Sequence, residues 1–265
     1  MLAVQRFALL LALYLLCGCV LSAVITPSVQ STASPTSDLE LTVAWEMLAQ
    51  GMERRMYRPH GDNFLTQLLV LRIDPSQYTF RLHYHPGQPL NVRGWRDALP
   101  GVAAFVNANF FDENGQALGL LVADGVSYGA PYPGYGGMFQ VQNGQPRVRS
   151  NILEPYVGEP LEQVAQGFPV LVANGAAGYS NRQRESLARR TVVAQDSSGR
   201  ILLIVTPLVG MTLVELSAYL PTTDLAIVNA VNLDGGGSTM LYIAATDYML
   251  SSFDPVPSVL AVYPR

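Results

Sequence analysis

The stretch "VNLDGGGSTMLY", residues 231–242, separates two apolar runs with an acid, three glycines and two hydroxyl side chains. The interrupting residues are Asp234, Gly235, Gly236, Gly237, Ser238 and Thr239. Adjacent glycines are costly because glycine loses more conformational freedom on folding than any other residue, but they reach positive φ and let another backbone approach closely. The pattern predicts a strand, a tight turn and a second strand, with Asp234 at the rim of a sheet.

The predicted turn at residues 235–239 has two candidate roles. Successive backbone N–H groups in such a turn can form an anion-binding concavity, and Ser238 and Thr239 add hydroxyl donors. Glycine loops that bind phosphate normally use a nearby cation, and every cationic residue of this chain is an arginine, so Arg189 or Arg190 must supply it. The alternative is a purely structural bend, which glycine runs in β-rich proteins often mark.

Two other predicted strands also end in polar residues. "VNANFFD", residues 106–112, carries Asn107 and Asn109 on one side of an extended run, and "LVANG", residues 171–175, ends in Asn174. Asparagine at a strand end is also a common turn-forming residue. If these tips share one pocket with Asp234, they provide groups that can bind sugar hydroxyls.

Composition excludes several classes of function. The chain has 265 residues and a formal net charge of −4, so it carries no basic field for nucleic acid. The absence of lysine excludes a P-loop lysine, a Schiff-base lysine and a Ser-Lys hydrolase. The three histidines, His60, His83 and His85, leave few candidates for the base of a Ser-His-Asp triad.

The N-terminus predicts export. Residues 1–25 combine Arg6, an apolar run and small residues, which is the layout of a secretory signal. Leu16-Cys17-Gly18-Cys19 resembles a lipobox with Cys19 as the lipidated residue; an uncleaved membrane anchor and simple cleavage with secretion are the alternatives. Residues 26–38 are rich in Ser, Thr and Pro and predict a flexible tether, which leaves 39–265 as the folded domain.

The body predicts an α+β fold: a strand-dominated mixed sheet with a few helices in a single domain. Asn143-Gly144 and residues 196–199 predict hairpin turns, and residues 91–101 predict a short helix. Residues 160–175 predict a short helix followed by a strand. The clearest helix starts at Thr212, where Glu215 stands in the position of a capping-box acid.

Several stretches together resemble the phosphodiester glycosidase domain family, which includes the lysosomal uncovering enzyme and bacterial exported proteins. The matching stretches occur in the family's order over residues 64–265: "VNANFFD", "GLLVADG", "FPVLVANG", "RRTVVAQDSSGRILLIV", "GMTLVELSAYL" and "NLDGGGSTML". The strongest part is Asn-Leu-Asp-Gly-Gly-Gly-Ser with the upstream Arg-Thr. Two positions depart from the family pattern, because a Gly-Gly pair is here Ala108-Asn109 and another glycine is Gln195.

The resemblance implies hydrolysis of the bond between a sugar anomeric carbon and a phosphodiester. It implies that Arg190 and the turn at 235–239 hold phosphate and that Asp234 is the base or nucleophile. Asn107, Asn109 and Asn174 would then bind sugar hydroxyls. Glu215 matches an acid that the family carries in this helix, so it is catalytic or only a helix cap.

Three functions remain open from the sequence. The first is an exported hydrolase acting on a sugar-1-phosphodiester of envelope or exopolysaccharide glycans. The second is a non-catalytic glycan-binding lipoprotein on the same fold. The third is a metal-dependent phosphodiesterase, because Asp234 and the asparagines are hard oxygen ligands suited to a divalent cation.

Overall fold

The computed structural model describes residues 44–61 and 63–265. The predicted signal segment, the lipidation residue Cys19 and the tether at 26–38 lie outside the described residues. All described residues belong to one compact unit. No helix in this part of the chain is long and apolar enough to span a bilayer.

Strands dominate the described residues, and helices are few and short. In chain order the strands are β1 Glu46–Ala49, β2 Met52–Tyr57, β3 Leu68–Ile73, β4 Tyr78–Tyr84, β5 Ala104–Asn107, β6 Phe110–Phe111, β7 Ala117–Leu118, β8 Leu121–Ala123, β9 Val126–Tyr128, β10 Gly137–Gln142, β11 Gln145–Ser150, β12 Gln163–Gly167, β13 Val170–Ala173, β14 Ala176–Ala177, β15 Thr191–Asp196, β16 Ile201–Val205, β17 Ile227–Asn232, β18 Leu241–Ile243, β19 Tyr248–Leu250 and β20 Ser258–Pro264. The α-helices are α1 Val92–Ala98 and α2 Leu213–Tyr219. Short 3₁₀ turns occur at Phe64–Thr66, Leu220–Thr222, Gly236–Ser238 and Ala244–Thr246.

The strands form three main sheets. The first has the order β1-β2-β3-β16-β15-β17-β13-β14, the second β11-β10-β12-β8-β9 and the third β19-β18-β5-β20-β4, while β6 and β7 pair separately. Every strand pair among the described residues is antiparallel. The predicted strand-dominated α+β class is confirmed, with the strands distributed over several sheets.

One apolar core joins the three sheets. Leu71 and Val231 of the first sheet, Phe139 of the second and Leu260 of the third belong to one buried cluster. Separate clusters lie under α2 on the first sheet and under α1 on the third. Because all three sheets share this core, the segments that cross between them are fixed in space, and the site described below lies on such segments.

Local sequence signals place most turns and both helices. Asn143 and Gly144, both at positive φ, connect β10 to β11, and residues 197–200 connect β15 to β16. Asn91 caps α1 by accepting the Gly94 N–H at 2.9 Å. Thr212 and Glu215 form the complete capping box of α2. These four predictions are confirmed, because each depends on contacts within a few residues.

The short helix predicted within residues 160–167 is wrong. These residues contain β12, which lies between β10 and β8 and is buried along its whole length. The side-chain oxygen of Gln163 accepts the Leu82 N–H at 2.8 Å, and that of Gln166 accepts the Leu120 N–H at 2.9 Å. Burial and these long-range hydrogen bonds outweigh the helix propensity of glutamine.

Candidate active site around Asp234

The segment after β17 carries Asp234 to a junction of two sheets. β17 lies between β15 and β13 in the first sheet. The Leu233 N–H donates to the Thr191 carbonyl at 2.8 Å, and the Asp234 N–H donates to the Ala108 carbonyl, just beyond β5 of the third sheet, at 3.0 Å. The backbone at Asp234 is therefore hydrogen-bonded to the ends of both sheets. These bonds fix the position of the Asp234 Cα, from which the side chain extends.

Two of the glycines satisfy specific backbone requirements. A Cβ at Gly235 would lie 2.8 Å from the Arg189 carbonyl oxygen, so this position needs glycine for close approach. Gly236 has φ of +60°, and its N–H donates to the same carbonyl at 2.7 Å. The turn thus wraps around the backbone of Arg189, two residues before β15, and this close contact is the reason for the two costly glycines.

Most N–H groups of the turn already bind protein oxygens. The Gly235 N–H donates to Asp234 Oδ1 at 2.9 Å, and the Gly236 N–H to Arg189. The Ser238 and Thr239 N–H groups close the 3₁₀ turn on the Gly235 and Gly236 carbonyls. Gly237 is the one residue of 235–239 whose N–H has no protein acceptor among the described residues. The predicted anion cradle is therefore much smaller than the sequence suggested.

The carboxylate of Asp234 is strongly perturbed. Burial raises the pKa of Asp234 to about 6, and the negative charge of Asp254 adds to the rise. Hydrogen bonds from the Ser238 hydroxyl and the Gly235 N–H act in the opposite direction. Desolvation dominates because few donors compensate the loss of water around the charged form. A carboxyl group with this pKa can exchange a proton near neutral pH, as acid–base catalysis requires.

Asn107 lies at the centre of the hydrogen-bond network that holds the turn. It is 1% exposed. Its Nδ2 donates to the Asp234 carbonyl at 2.7 Å, and its Oδ1 accepts the Thr191 hydroxyl at 2.8 Å and the Met240 N–H at 3.1 Å. The structure therefore brings Asn107 to Asp234, but with its polar atoms committed to protein partners instead of open to a sugar.

Asn109 is also buried near the turn but faces another strand. Its Nδ2 donates to the carbonyls of Leu120 at 3.0 Å and Gln166 at 3.3 Å. Its Oδ1 is buried without a hydrogen-bond partner. This unpaired oxygen is the part of Asn109 that remains able to accept a bond from a ligand or water.

The two arginines before β15 point to different surroundings. Arg189 is 6% exposed, and its guanidinium donates to the Ser251 carbonyl at 3.0 Å and the Thr239 carbonyl at 2.5 Å. Arg190 instead donates to the Met211 carbonyl at 2.8 Å and the Ser186 carbonyl at 3.1 Å. Burial lowers the pKa of both guanidinium groups. Arg189 thus holds the far end of the turn, whereas the Arg190 side chain is directed to the segment before α2.

Two predicted site residues are not brought to Asp234. Glu215 receives the Thr212 N–H at 3.0 Å and hydroxyl at 2.9 Å, and these bonds lower its pKa. Asn174 forms the two-residue turn between β13 and β14, where its neighbour Gly175 binds the Val228 carbonyl at 2.9 Å. Val228 lies at the start of β17 and Asp234 beyond its end. The expectation that three asparagine-tipped strands meet at one pocket is therefore corrected for Asn174.

Thr191 and Asp254 are neighbours of Asp234 that were not predicted from the sequence motifs. Thr191 follows Arg190 and is fully buried, with its hydroxyl 3.3 Å from that of Thr239. The Arg-Thr motif contains Thr191 and could have predicted its place in the site. Asp254 lies in residues 251–255, which contain no motif, so its proximity to Asp234 is visible only in the folded structure.

Other features near the site are less specific. The tyrosine-rich loop after β9 packs on Phe168: the ring centre of Tyr135 lies 5.5 Å from that of Phe168, and the Phe110 ring stacks on Phe168 at 4.5 Å.

Two cavities of about 270 and 460 Å³ lie elsewhere, and neither is lined by Asp234. Within residues 44–61 and 63–265, no group of three or more His, Cys, Asp or Glu side chains is arranged to hold a metal ion.

Comparison with known proteins places the chain in a family. The family model described as phosphodiester glycosidase matches residues 100–263, which include β5, the Arg-Thr pair and the whole glycine turn. The chain therefore belongs to the phosphodiester glycosidase family. The predicted resemblance is confirmed.

Individual relatives are distant. The chain is 28% identical over 177 residues to N-acetylglucosamine-1-phosphodiester α-N-acetylglucosaminidase of Bos taurus. That match covers 55% of this chain and only 32% of the relative. The whole relative's activity is therefore not transferred to this chain by the match alone.

Solved structures share the fold. The zebrafish N-acetylglucosamine-1-phosphodiester α-N-acetylglucosaminidase catalytic domain, described as auto-inhibited by its pro-peptide, has a TM-score of 0.61 at 17% identity and covers 82% of this chain and 85% of that one. A Synechocystis protein has a TM-score of 0.54 at 17% identity, with 81% and 62% covered. A Burkholderia pseudomallei protein, provisionally described as exported, has a TM-score of 0.52 at 13% identity, with 80% and 74% covered.

Proposed function

We propose that this protein is an exported hydrolase that cleaves the bond between a sugar anomeric carbon and a phosphodiester oxygen. The observation that carries the proposal is the half-buried Asp234, whose pKa is raised to about 6 within the segment that matches the family. A structural turn does not need a desolvated acid, and such an acid destabilises the fold when it is charged. Perturbed acids of this kind cluster at catalytic sites.

In the proposed reaction, ionised Asp234 removes a proton from water as the water oxygen attacks the anomeric carbon. The carbon–oxygen bond to phosphate breaks, and its electron pair stays on the phosphate oxygen. The products are a free sugar and a phosphate monoester. Because a phosphate monoester is a good leaving group, a strong general acid on the opposite side is less important than in ordinary glycosidases. The proton then leaves Asp234 easily, since its pKa lies near neutral pH.

The surrounding residues have supporting roles in this proposal. The free Gly237 N–H is the donor of the turn that can contact the phosphate, because the Ser238 hydroxyl already donates to Asp234. Asn107 and Thr191 fix the turn, and the unpaired Oδ1 of Asn109 is available to a sugar hydroxyl. Arg190 keeps its proposed phosphate role only if its side chain leaves the Met211 carbonyl when substrate binds.

The substrate class follows from the relatives' chemistry and the N-terminal sequence. The bovine and zebrafish relatives act, by name, on an N-acetylglucosamine-1-phosphodiester. The signal-like residues 1–25 and the tether at 26–38 support export, with Cys19 as the lipid attachment point. We therefore propose glycans of the cell envelope or exopolysaccharide as the substrates, with the protein held at the membrane by its N-terminus.

The test uses the purified full chain and synthetic N-acetylglucosamine 1-(methyl phosphodiester). Release of N-acetylglucosamine and methyl phosphate is expected. In ¹⁸O water, label in the sugar supports the proposal, whereas label in the phosphate identifies a phosphodiesterase that cuts the phosphorus–oxygen bond. Binding without turnover across a panel of sugar-1-phosphodiesters would identify a glycan-binding protein instead. The first-formed anomer distinguishes a base from a nucleophile, because inversion fits Asp234 as base and retention fits a covalent intermediate.

A further inference from the structure

Residues 251–254, between β19 and β20, form one wall of the site. The N–H groups of Phe253 and Asp254 both donate to the Gly237 carbonyl, at 2.7 and 3.1 Å. Arg189 binds the Ser251 carbonyl, and its guanidinium carbon lies 5.1 Å from the centre of the Phe253 ring. This wall is therefore fixed to the glycine turn by backbone bonds and by a buried arginine.

The Asp254 carboxylate lies directly over Gly237. A Cβ built on Gly237 would stand 2.0 Å from Asp254 Oδ2, so no larger residue fits at position 237 with the carboxylate in place. Gly237 is next to Ser238, whose hydroxyl binds the Asp234 carboxylate. Asp254 itself is exposed, and its carboxylate accepts no hydrogen bond from the described residues. Two carboxylates thus flank one short turn, one half-buried and one open to solvent.

We propose that Asp254 is a positioning residue of this site, which acts on the reaction through Asp234. Its carboxylate lies over the same short turn, so its negative charge makes the ionised form of Asp234 less favourable and adds to the effect of burial on the pH at which Asp234 changes between acid and base. This inference rests on the proposed function for its kinetic consequence, but not for the electrostatic coupling itself. The third glycine of the turn, Gly237, leaves the space that this second carboxylate occupies.

The other charged groups near Asp234 do not cancel this effect. On the β15 side, Arg189 and Arg190 keep their positive charges, but their guanidinium groups donate to backbone carbonyls and neither forms an ion pair with Asp234. On the β5 side, Ala108 and Asn109 carry no charge. Among residues 44–61 and 63–265, Asp254 is the one other ionisable group whose charge raises the pKa of Asp234. Like charges at close range raise a carboxyl pKa by this mechanism.

The test compares Asp254→Asn with Asp247→Asn in the full chain. Both variants remove one exposed negative charge from the same C-terminal region, and asparagine tolerates the left-handed backbone of Asp247. The inflection of kcat/KM near pH 6 is expected to move toward acid by a few tenths of a pH unit, about 0.3, in Asp254→Asn and to stay in place in Asp247→Asn. Asp254→Glu should restore the inflection. Because Asp254 is exposed, the wild-type inflection should also move toward acid in 1 M salt.

A second measurement makes the outcome independent of activity. The Asp234 carboxyl ¹³C signal, assigned by its loss in Asp234→Asn, is titrated in wild type and in Asp254→Asn. A lower midpoint in Asp254→Asn supports the inference even if no sugar-1-phosphodiester is cleaved, which would contradict only the proposed function. An unchanged Asp234 midpoint in Asp254→Asn overturns the inference, whatever the activity is.

Discussion

Asp234 and Glu215 are the two acids that the sequence predicts as catalytic candidates. Their surroundings shift the two carboxyl pKa values in opposite directions. Asp234 is half-buried beside a glycine turn, and burial raises its pKa to about 6. Glu215 is exposed at the start of α2, and bonds from the Thr212 N–H and hydroxyl lower its pKa. Both residues occur in family-like motifs, so motif membership alone does not separate them.

The difference shows how solvent and donors assign roles to identical chemical groups. A carboxylate that is well supplied with donors stays ionised and serves structure. A carboxyl group that is taken out of water and has few hydrogen-bond donors stays protonated to a higher pH and can exchange its proton in a reaction near neutral pH. The geometry therefore favours Asp234 as the reacting group and Glu215 as a helix cap.

The largest effect is expected for Asp234→Asn. The amide has the same shape but cannot accept a proton, so kcat should fall about 10²- to 10⁴-fold with N-acetylglucosamine 1-(methyl phosphodiester). The matched control is Asp247→Asn, an exposed acid in the same region, which should keep wild-type turnover. Retention of full activity by Asp234→Asn would contradict the catalytic assignment.

Asn107→Ala should destabilise the fold by about 3 kcal/mol, because it removes three buried hydrogen bonds and leaves their partners unpaired. Denaturant unfolding measures the loss. Asn174→Gly, at an exposed turn whose φ of +50° glycine adopts without strain, is the matched comparison and should cost about 1 kcal/mol or less, with unchanged activity. Equal losses in the two variants would mean that Asn107 does not hold the turn.

The pH dependence of stability separates the two acids. The pKa of Asp234 is higher in the folded chain, about 6, than its ordinary value of 3.8, so the folded state binds this proton more tightly. Its contribution is fully present below the unfolded pKa and is lost as pH rises through 6, by about 3 kcal/mol in total. The unfolding free energy of wild type minus that of Asp234→Asn should therefore decrease between pH 4 and pH 8. An increase over this range would show that the folded site stabilises the ionised form.

The smallest effect is expected for Glu215→Ala. Loss of the capping box should lower stability by about 1 kcal/mol, measured by thermal unfolding, and leave kcat/KM unchanged. Glu215→Gln keeps an acceptor for the Thr212 N–H and should recover part of that stability. A 100-fold fall in kcat/KM for Glu215→Gln would restore Glu215 to the catalytic residues and remove the contrast with Asp234.

Local signals in the sequence were sufficient for much of the fold. The Asn143-Gly144 turn, the Asn91 cap of α1 and the capping box of α2 depend on neighbouring residues only. The helix predicted at residues 160–167 is not formed, because its glutamines bind backbone groups of β4 and of the segment before β8, which are distant in the sequence. A propensity cannot include partners that only folding brings near.

The sequence by itself determined the family and the tight turn after Asp234, because a run of glycines marks a place where another backbone approaches closely. Only the tertiary structure decided which polar residues surround that turn. It brought Asn107, Thr191, Arg189 and Asp254 to the turn from three separate parts of the chain, and it left Asn174 at the other end of β17. The physical reason is that strand register and sheet crossing set these distances, and neither is encoded in the spacing of residues along the chain.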